Sequence, residues 1–152
     1  MKEGLGDFQV GAKLRSQGRT ISEGDYSTMV NISWETGALH TDREYMAKTE
    51  FKERILGGPC IIPFVAGLST APLEKAWDSS GLRPVALVGI NNVRFTAPLH
   101  PGDTIHIETE VVEFRPTSKE GRYIGRLQDV MYKQDKRVVL QMERIMLLES
   151  TS

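Results

Sequence analysis

GGPCIIPFVAGL, residues Gly57–Leu68, reads as a buried helix. Gly57 and Gly58 supply a flexible turn, and Pro59 stands at the first helical position, where a missing N–H is tolerated. From Cys60 to Leu68 nearly every face is apolar, so the helix belongs inside a core; it is too short to cross a bilayer. Pro63 lies close enough to the start to be accommodated. Pro72 is expected to bend or end the segment, with Leu73–Trp77 following as a separate turn or two.

C-terminal to this helix the periodicity becomes two. Ile105, Ile107, Thr109 and Val111 alternate with His106, Glu108 and Glu110, the pattern of a half-buried strand. Val85–Phe95, Tyr123–Tyr132 and Arg137–Leu148 supply three more, with turns marked by Pro98, Pro101-Gly102, Ser118–Gly121 and Gln134–Lys136. Four consecutive antiparallel strands after a buried helix predict an α+β domain, a curved antiparallel sheet wrapped around a central apolar helix. On the N-terminal side, Val10–Thr20 is a first strand weakened by Gly11 and Gly18. Ser22-Glu23-Gly24-Asp25 reads as a capping box. Tyr26, Met29, Val30 and Ser33 then follow at helical spacing to about Trp34, and Gly37 suits the helix end. A short helix over Asp42–Lys48 follows. No repeat, linker or low-complexity tract divides the chain, so residues 1–152 read as a single domain.

Composition excludes several function classes. The 152 residues carry 19 basic and 20 acidic side chains, a net charge of -1, which gives no electrostatic basis for a nucleic acid or anionic membrane partner. A small phosphorylated ligand needs only a local basic patch. Cys60 is the single cysteine, so no intrachain disulfide forms, as suits a reducing cytoplasm, and no zinc-ligand pattern is present. No membrane-spanning stretch occurs, and the Met1-Lys2-Glu3-Gly4 start is unlike a signal peptide.

Chemistry is expected from three residues in two segments. Glu35 and His40 stand five positions apart, at the predicted end of the first helix and in the loop behind it. A carboxylate and an imidazole in one cavity can position a water molecule and shuttle its proton near neutral pH. Gly58, opening the apolar helix, offers an unblocked N–H at the positive end of a helix dipole. That suits a thioester carbonyl gaining negative charge. Each feature alone is commonplace; only their arrangement around one cavity points to catalysis.

Several segments also resemble a known family. Thr20–Asp25, TISEGD, is similar to the segment opening the first helix of MaoC-like hydratases. Ser33–Asp42, SWETGALHTD, aligns without gaps on their signature, commonly S-G-D-x-N-P-[apolar]-H-x-D. Arg43–Gly58, REYMAKTEFKERILGG, resembles D-E-x-A-x-x-T-x-F-G-x-R-I-x-H-G. Val93-Arg94-Phe95 through Pro98, with Pro101-Gly102-Asp103-Thr104, resembles V-R-F-x-x-P-V-x-P-G-D-T. The matches span most of the chain in order, and by them the sequence is identified as a member of the MaoC-like dehydratase and R-specific enoyl-CoA hydratase family.

The resemblance implies a hotdog fold and a homodimer or higher homo-oligomer, with an acyl-CoA tunnel near the subunit interface. It implies reversible addition of water to the C2–C3 double bond of an enoyl thioester carried by CoA or an acyl-carrier protein. No metal is implied, and no cofactor beyond the CoA of the substrate. Position by position, His40 matches the family histidine, Gly58 the oxyanion glycine, and Glu35 falls where the family has aspartate.

The departures imply a divergent site, for instance for a branched or carboxylated acyl group. Glu35 adds one methylene, moving its oxygens by about 1.5 Å. Gly37-Ala38 replace Asn-Pro, Gly57 replaces a histidine, and Trp34 stands where glycine is common and is expected to crowd the pocket. Two alternatives stay open: acyl-CoA thioester hydrolysis with the same helix and carboxylate, and a catalytically inactive acyl-thioester-binding protein. Elsewhere, Asp42 reads as a helix cap, Cys60 as a small buried hydrophobe, and His106 as a surface residue. Arg94 is expected to pair with a buried carboxylate or hold its place in the sheet. Lys48, Lys52 and Arg54 fit either CoA phosphates or a solvated face.

Overall fold

The computed structural model of the protein describes residues 6–151, so the Met1–Gly4 start lies outside the described residues. In chain order the elements are β1 (Lys13–Arg15), β2 (Arg19–Thr20), α1 (Glu23–Ser33), α2 (Ala38–Thr41), α3 (Arg43–Ala47), α4 (Gly58–Ser79), β3 (Leu82–Phe95), β4 (Thr104–Pro116), β5 (Arg122–Lys133) and β6 (Val138–Ser150). The strands form one antiparallel sheet in the order β1-β4-β5-β6-β3, with β2 also on β4. Helix α4 packs against both β1 and β3, the two edges of that sheet. Five strands laid flat would span about 19 Å, whereas a helix with its side chains is about 10–12 Å across. The sheet therefore curls around α4, as the sequence predicts.

Two expectations are corrected. Helix α4 runs unbroken for 22 residues through both Pro63 and Pro72, so Leu73–Trp77 is no separate turn. Each proline removes one hydrogen bond at a cost of about 3 kcal/mol in an isolated helix. Burial of Val65, Ser69, Leu73, Ala76 and Trp77 along the helix outweighs that cost. The Val10–Thr20 strand is split in two. At the break, the Ser16 hydroxyl accepts from the Ile107 N–H (2.9 Å) while the Ser16 N–H donates to the Ile107 carbonyl (2.9 Å). A side chain thus takes over a ladder position, and the backbone leaves the sheet until Arg19.

The core divides into two apolar clusters, one holding Val65, Ile107, Met131 and Met142, the other Leu73, Val111, Leu127 and Met146. On each of four elements a buried polar residue lies between the two sets: Ser69 on α4, Thr109 on β4, Asp129 on β5 and Arg144 on β6. Arg144 donates to both Asp129 oxygens (2.6 and 2.8 Å) and to Ser69 Oγ (2.9 Å), and Thr109 Oγ1 donates to Asp129 (2.6 Å). A closed polar layer crosses the interior.

The Pro101–Thr104 element is an anchor. Gly102 makes the turn with φ 93. Buried Lys133 meets Asp103 at 2.9 Å and donates to the Pro98 carbonyl at 3.0 Å. Gln134 Nε2 (2.7 Å) and the His100 N–H (2.9 Å) also donate to Asp103. Burial pushes the Asp103 carboxyl up, but the bonds from Gln134, Lys133 and the His100 amide outweigh it and hold the group below its ordinary value. Because the folded-state pKa is depressed, the stabilisation is complete above the ordinary carboxylate range and is lost as pH falls through the folded value. Asp103→Asn is expected to cost about 2 kcal/mol at neutral pH. The gap to wild type should narrow below about pH 4. Denaturant midpoints across pH check this; a gap constant with pH would remove Asp103 as its source.

Candidate active site

Helix α1 is opened by the predicted capping box, with Ser22 Oγ accepting from the Asp25 N–H and Asp25 accepting from the Ser22 N–H. It ends at Ser33 with Trp34 as its C-cap, close to the expected end. The Ser33 hydroxyl turns back onto the Val30 carbonyl (3.3 Å) and accepts from the Cys60 thiol (3.1 Å), closing the last turn. Trp34, not Gly37, then takes the left-handed conformation (φ 60). Its side chain points outward, 85% exposed, so it does not crowd the cavity. Gly37 instead opens α2, where its carbonyl accepts from the His40 N–H (2.9 Å) and the Thr41 hydroxyl (3.0 Å). His40 therefore sits on a one-turn helix rather than in an open loop. Asp42 caps α3 through the Tyr45 N–H (2.8 Å).

The imidazole is held on both sides. His40 Nδ1 lies 2.7 Å from the Ile55 carbonyl, which makes Nδ1 the donor, since a carbonyl can only accept. Nε2 lies 3.1 Å from Glu35 Oε2. In a neutral ring with the proton on Nδ1, Nε2 carries a lone pair that would face a carboxylate lone pair. A proton carried by either partner would lie between Nε2 and Oε2, placed for transfer to a bound reactant.

Tyr26 fixes this arrangement, and nothing in the sequence singled it out beyond helical spacing. Its hydroxyl shares its one proton between the His40 carbonyl (2.7 Å) and the Ile55 carbonyl (3.0 Å), tying α1 to the backbone of His40 and to the carbonyl that holds its ring. Burial pushes that hydroxyl up to about 12, so it stays a proton donor at working pH. The Arg54 guanidinium lies 5.0 Å from the Tyr26 ring centroid and pairs with Glu23 at 2.6 Å, so of the three basic residues considered for phosphates it is already engaged.

The Gly57–Gly58 end of α4 meets the same cavity. Gly57 is the N-cap and supplies no side-chain cap, and the Gly58 N–H has no acceptor among the described residues. Neither glycine has a positive φ, so the turn does not require glycine for its backbone. Space is the reason instead. A Cβ on Gly58 would lie 2.7 Å from the Phe95 ring, and one on Gly57 would lie 3.1 Å from the Glu35 carboxylate. A cavity of about 370 Å³ is lined here by His40, Ile55, Gly57, Gly58, Phe95 and Pro98 among others. His40 and Gly58 line this cavity; Glu35 does not, and joins them through its contact with His40 Nε2 and its closeness to Gly57. A larger cavity, about 450 Å³, runs along the middle of α4 beside Arg19, Asp25, Phe64 and Gly67. It lacks an imidazole, and its carboxylate is already tied to Ser22 and Arg19.

The remaining candidates fall outside the site. Arg94 is exposed and reaches only the Val93 carbonyl (3.4 Å), so no buried carboxylate pairs with it; on an edge strand solvent serves the guanidinium. His106 stacks on Tyr132 with centroids 5.2 Å apart, and His100 Nδ1 faces the Arg54 carbonyl at 2.9 Å. Among the described residues no cluster of three or more His, Cys, Asp or Glu is placed to hold a metal, and no helix is long and apolar enough to cross a membrane.

Residues 7–130 match the family model of the MaoC like domain. The chain belongs to the MaoC-like family. Against this family's relatives it is 33% identical over 102 residues to Protein MaoC of Klebsiella aerogenes, covering 66% of this chain and 28% of that protein. It is 28% identical over 104 residues to the (R)-specific enoyl-CoA hydratase of Rhodospirillum rubrum, covering 68% of this chain and 67% of that one. The chain thus spans less than a third of the Klebsiella protein. A Mycobacterium tuberculosis protein described as a double hotdog fold superposes with a TM-score of 0.80 at 23% identity, covering 95% of this chain and 43% of that one. The MaoC-like chain therefore has the hotdog fold, its sheet wrapped around α4.

Proposed function

We propose that this MaoC-like chain is a hydro-lyase that adds water reversibly across the C2–C3 double bond of an enoyl thioester. The observation that carries the reading is the 3.1 Å contact of His40 Nε2 with Glu35 Oε2 beside the open N-terminus of α4. In the hydration direction the thioester oxygen accepts from the Gly58 N–H, which stabilises the enolate-like charge as it develops. Water bound by Glu35 and His40 attacks C3 with its oxygen and gives one proton to the pair. The pair returns one proton to C2, so the sum is one water added and no change in the enzyme. CoA or an acyl-carrier protein arrives with the substrate, and no other cofactor takes part. Family relatives named as hydratases and dehydratases of CoA thioesters support the reaction class.

Strand β3 supports a homodimer. It is the last strand of the sheet, with an unpaired edge, and exposes Val85, Leu87, Val88 and Phe95. Long apolar edge strands are normally paired or covered, and a second copy at β3 would place Phe95, and with it the cavity, beside the interface. The single cysteine and balanced charge fit a cytoplasmic enzyme without nucleic acid or membrane partners.

The test is a panel of straight, branched and carboxylated enoyl-CoA esters, followed by loss of the conjugated thioester absorbance with a thiol reagent in parallel. Loss of absorbance without thiol release is expected. Thiol release would assign a hydrolase instead, and saturable binding without turnover across the panel would assign a binding protein.

A further inference from the structure

We infer that Gly57 is a positioning residue for Glu35: its bare α-carbon is the seat against which the longer carboxylate reaches His40. The inference rests on the catalytic roles proposed above for Glu35 and His40. An ideal Cβ on Gly57 would stand 3.1 Å from both Glu35 Cδ and Oε1 and 3.4 Å from Oε2. One oxygen of the same carboxylate, Oε2, is in contact with His40 Nε2 at 3.1 Å. The carboxylate therefore touches the imidazole while lying close over the Gly57 α-carbon, and a methyl group there would require it to give by a few tenths of an ångström.

Backbone geometry gives no competing reason for glycine. Gly57 has φ −62 and ψ 143, an extended conformation open to any L-residue, and as N-cap it contributes no side-chain bond. Its neighbour Gly58 is kept bare by a different group, the Phe95 ring. The two adjacent glycines thus serve two different parts of the site. Length at position 35 and emptiness at position 57 are one device. A shorter acid would retract by about 1.5 Å, lose the imidazole and vacate the volume that a methyl on residue 57 occupies.

The test is a double-mutant cycle on the full chain with wild type, Gly57→Ala, Glu35→Asp and the double variant. Turnover is read together with the ¹⁵N spectrum of the His40 imidazole. Gly57→Ala is expected to lower kcat about tenfold with KM little changed, since a displacement of a few tenths of an ångström at a reacting group costs less than the hundredfold associated with a full ångström. In the Glu35→Asp background the same change is expected to cost nothing, and the His40 signal should move on Gly57→Ala only when Glu35 is present. Equal losses in both backgrounds, or an imidazole spectrum indifferent to residue 57, would overturn the inference. Should Gly57→Ala be folded but too unstable to assay with Glu35 present, the cycle is read on thermal midpoints, where unequal cost supports the seat and equal cost overturns it. The spectrum needs no substrate, so a chain that hydrates nothing defeats the proposed reaction while leaving the seat to stand or fall separately.

Discussion

His40→Ala is expected to lower kcat/KM for enoyl-thioester hydration by at least about a hundredfold, because positioned acid–base groups contribute about 10²–10⁴. In energy this is about 2.7 kcal/mol or more of transition-state stabilisation. The change should be nearly silent in stability. Tyr26 bonds the main-chain carbonyl of residue 40, which alanine keeps, and it also holds the Ile55 carbonyl that the imidazole gives up. The scaffold around the missing ring therefore stays tied. Glu35→Gln provides the complementary result. It preserves the volume seated against Gly57 yet cannot act as a base, so a loss of similar size is expected with unchanged folding. Steady-state rates and thermal midpoints of the two variants check both halves. Ordinary turnover by His40→Ala would take the imidazole out of the chemistry.

Legibility in the sequence followed the range of the interaction. The capping box at Ser22 and Asp25, the Asp42 cap and the period-two alternation of β4 are local codes, and the structure shows each of them. Pro72 is also a local signal, and reading it as a break failed because the packing of Leu73, Ala76 and Trp77 is not visible in a helix considered alone. Trp34 shows the same limit. A large aromatic is a poor choice for a left-handed cap, so the residue types favoured Gly37, but the end of α1 is set by Ser33, Val30 and Cys60, the last of which lies 27 positions away. At the site, Glu35, His40 and Gly58 carry recognisable chemistry, so residue type alone could single them out as candidates. Tyr26 and the Ile55 carbonyl could not be singled out, since a tyrosine at helical spacing reads as core and a backbone oxygen has no sequence signature. Gly57 was noticed as part of the turn before the helix and as the replacement of a family histidine, but its closeness to Glu35 has no local signature.

Asp129→Ala is expected to be the costliest single change to stability, about 3–5 kcal/mol, because it leaves the buried Arg144 guanidinium without its counter-ion. Such a loss is a large share of the roughly 5–15 kcal/mol that holds a domain together. For a chain of this length it corresponds to a fall in Tm of roughly 10 °C. The partners left behind explain the size: Arg144 and Thr109 both donate to Asp129, and all three side chains are buried. A buried ion pair is nonetheless weak evidence for stability in itself, since well-packed apolar replacements of whole pairs are often neutral or better. The combined variant Ser69→Ala, Thr109→Val, Asp129→Leu, Arg144→Met separates the two questions. Its midpoint is expected to recover to near wild type. Activity is not expected to recover, because the Arg144 bond to Ser69 is the one polar tie fixing α4 lengthwise among the four layer residues, and Gly58 opens that same helix. A slide of about 1 Å at the oxyanion amide would cost on the order of a hundredfold. Recovery of both midpoint and turnover would show instead that apolar packing alone sets where α4 presents its N-terminus.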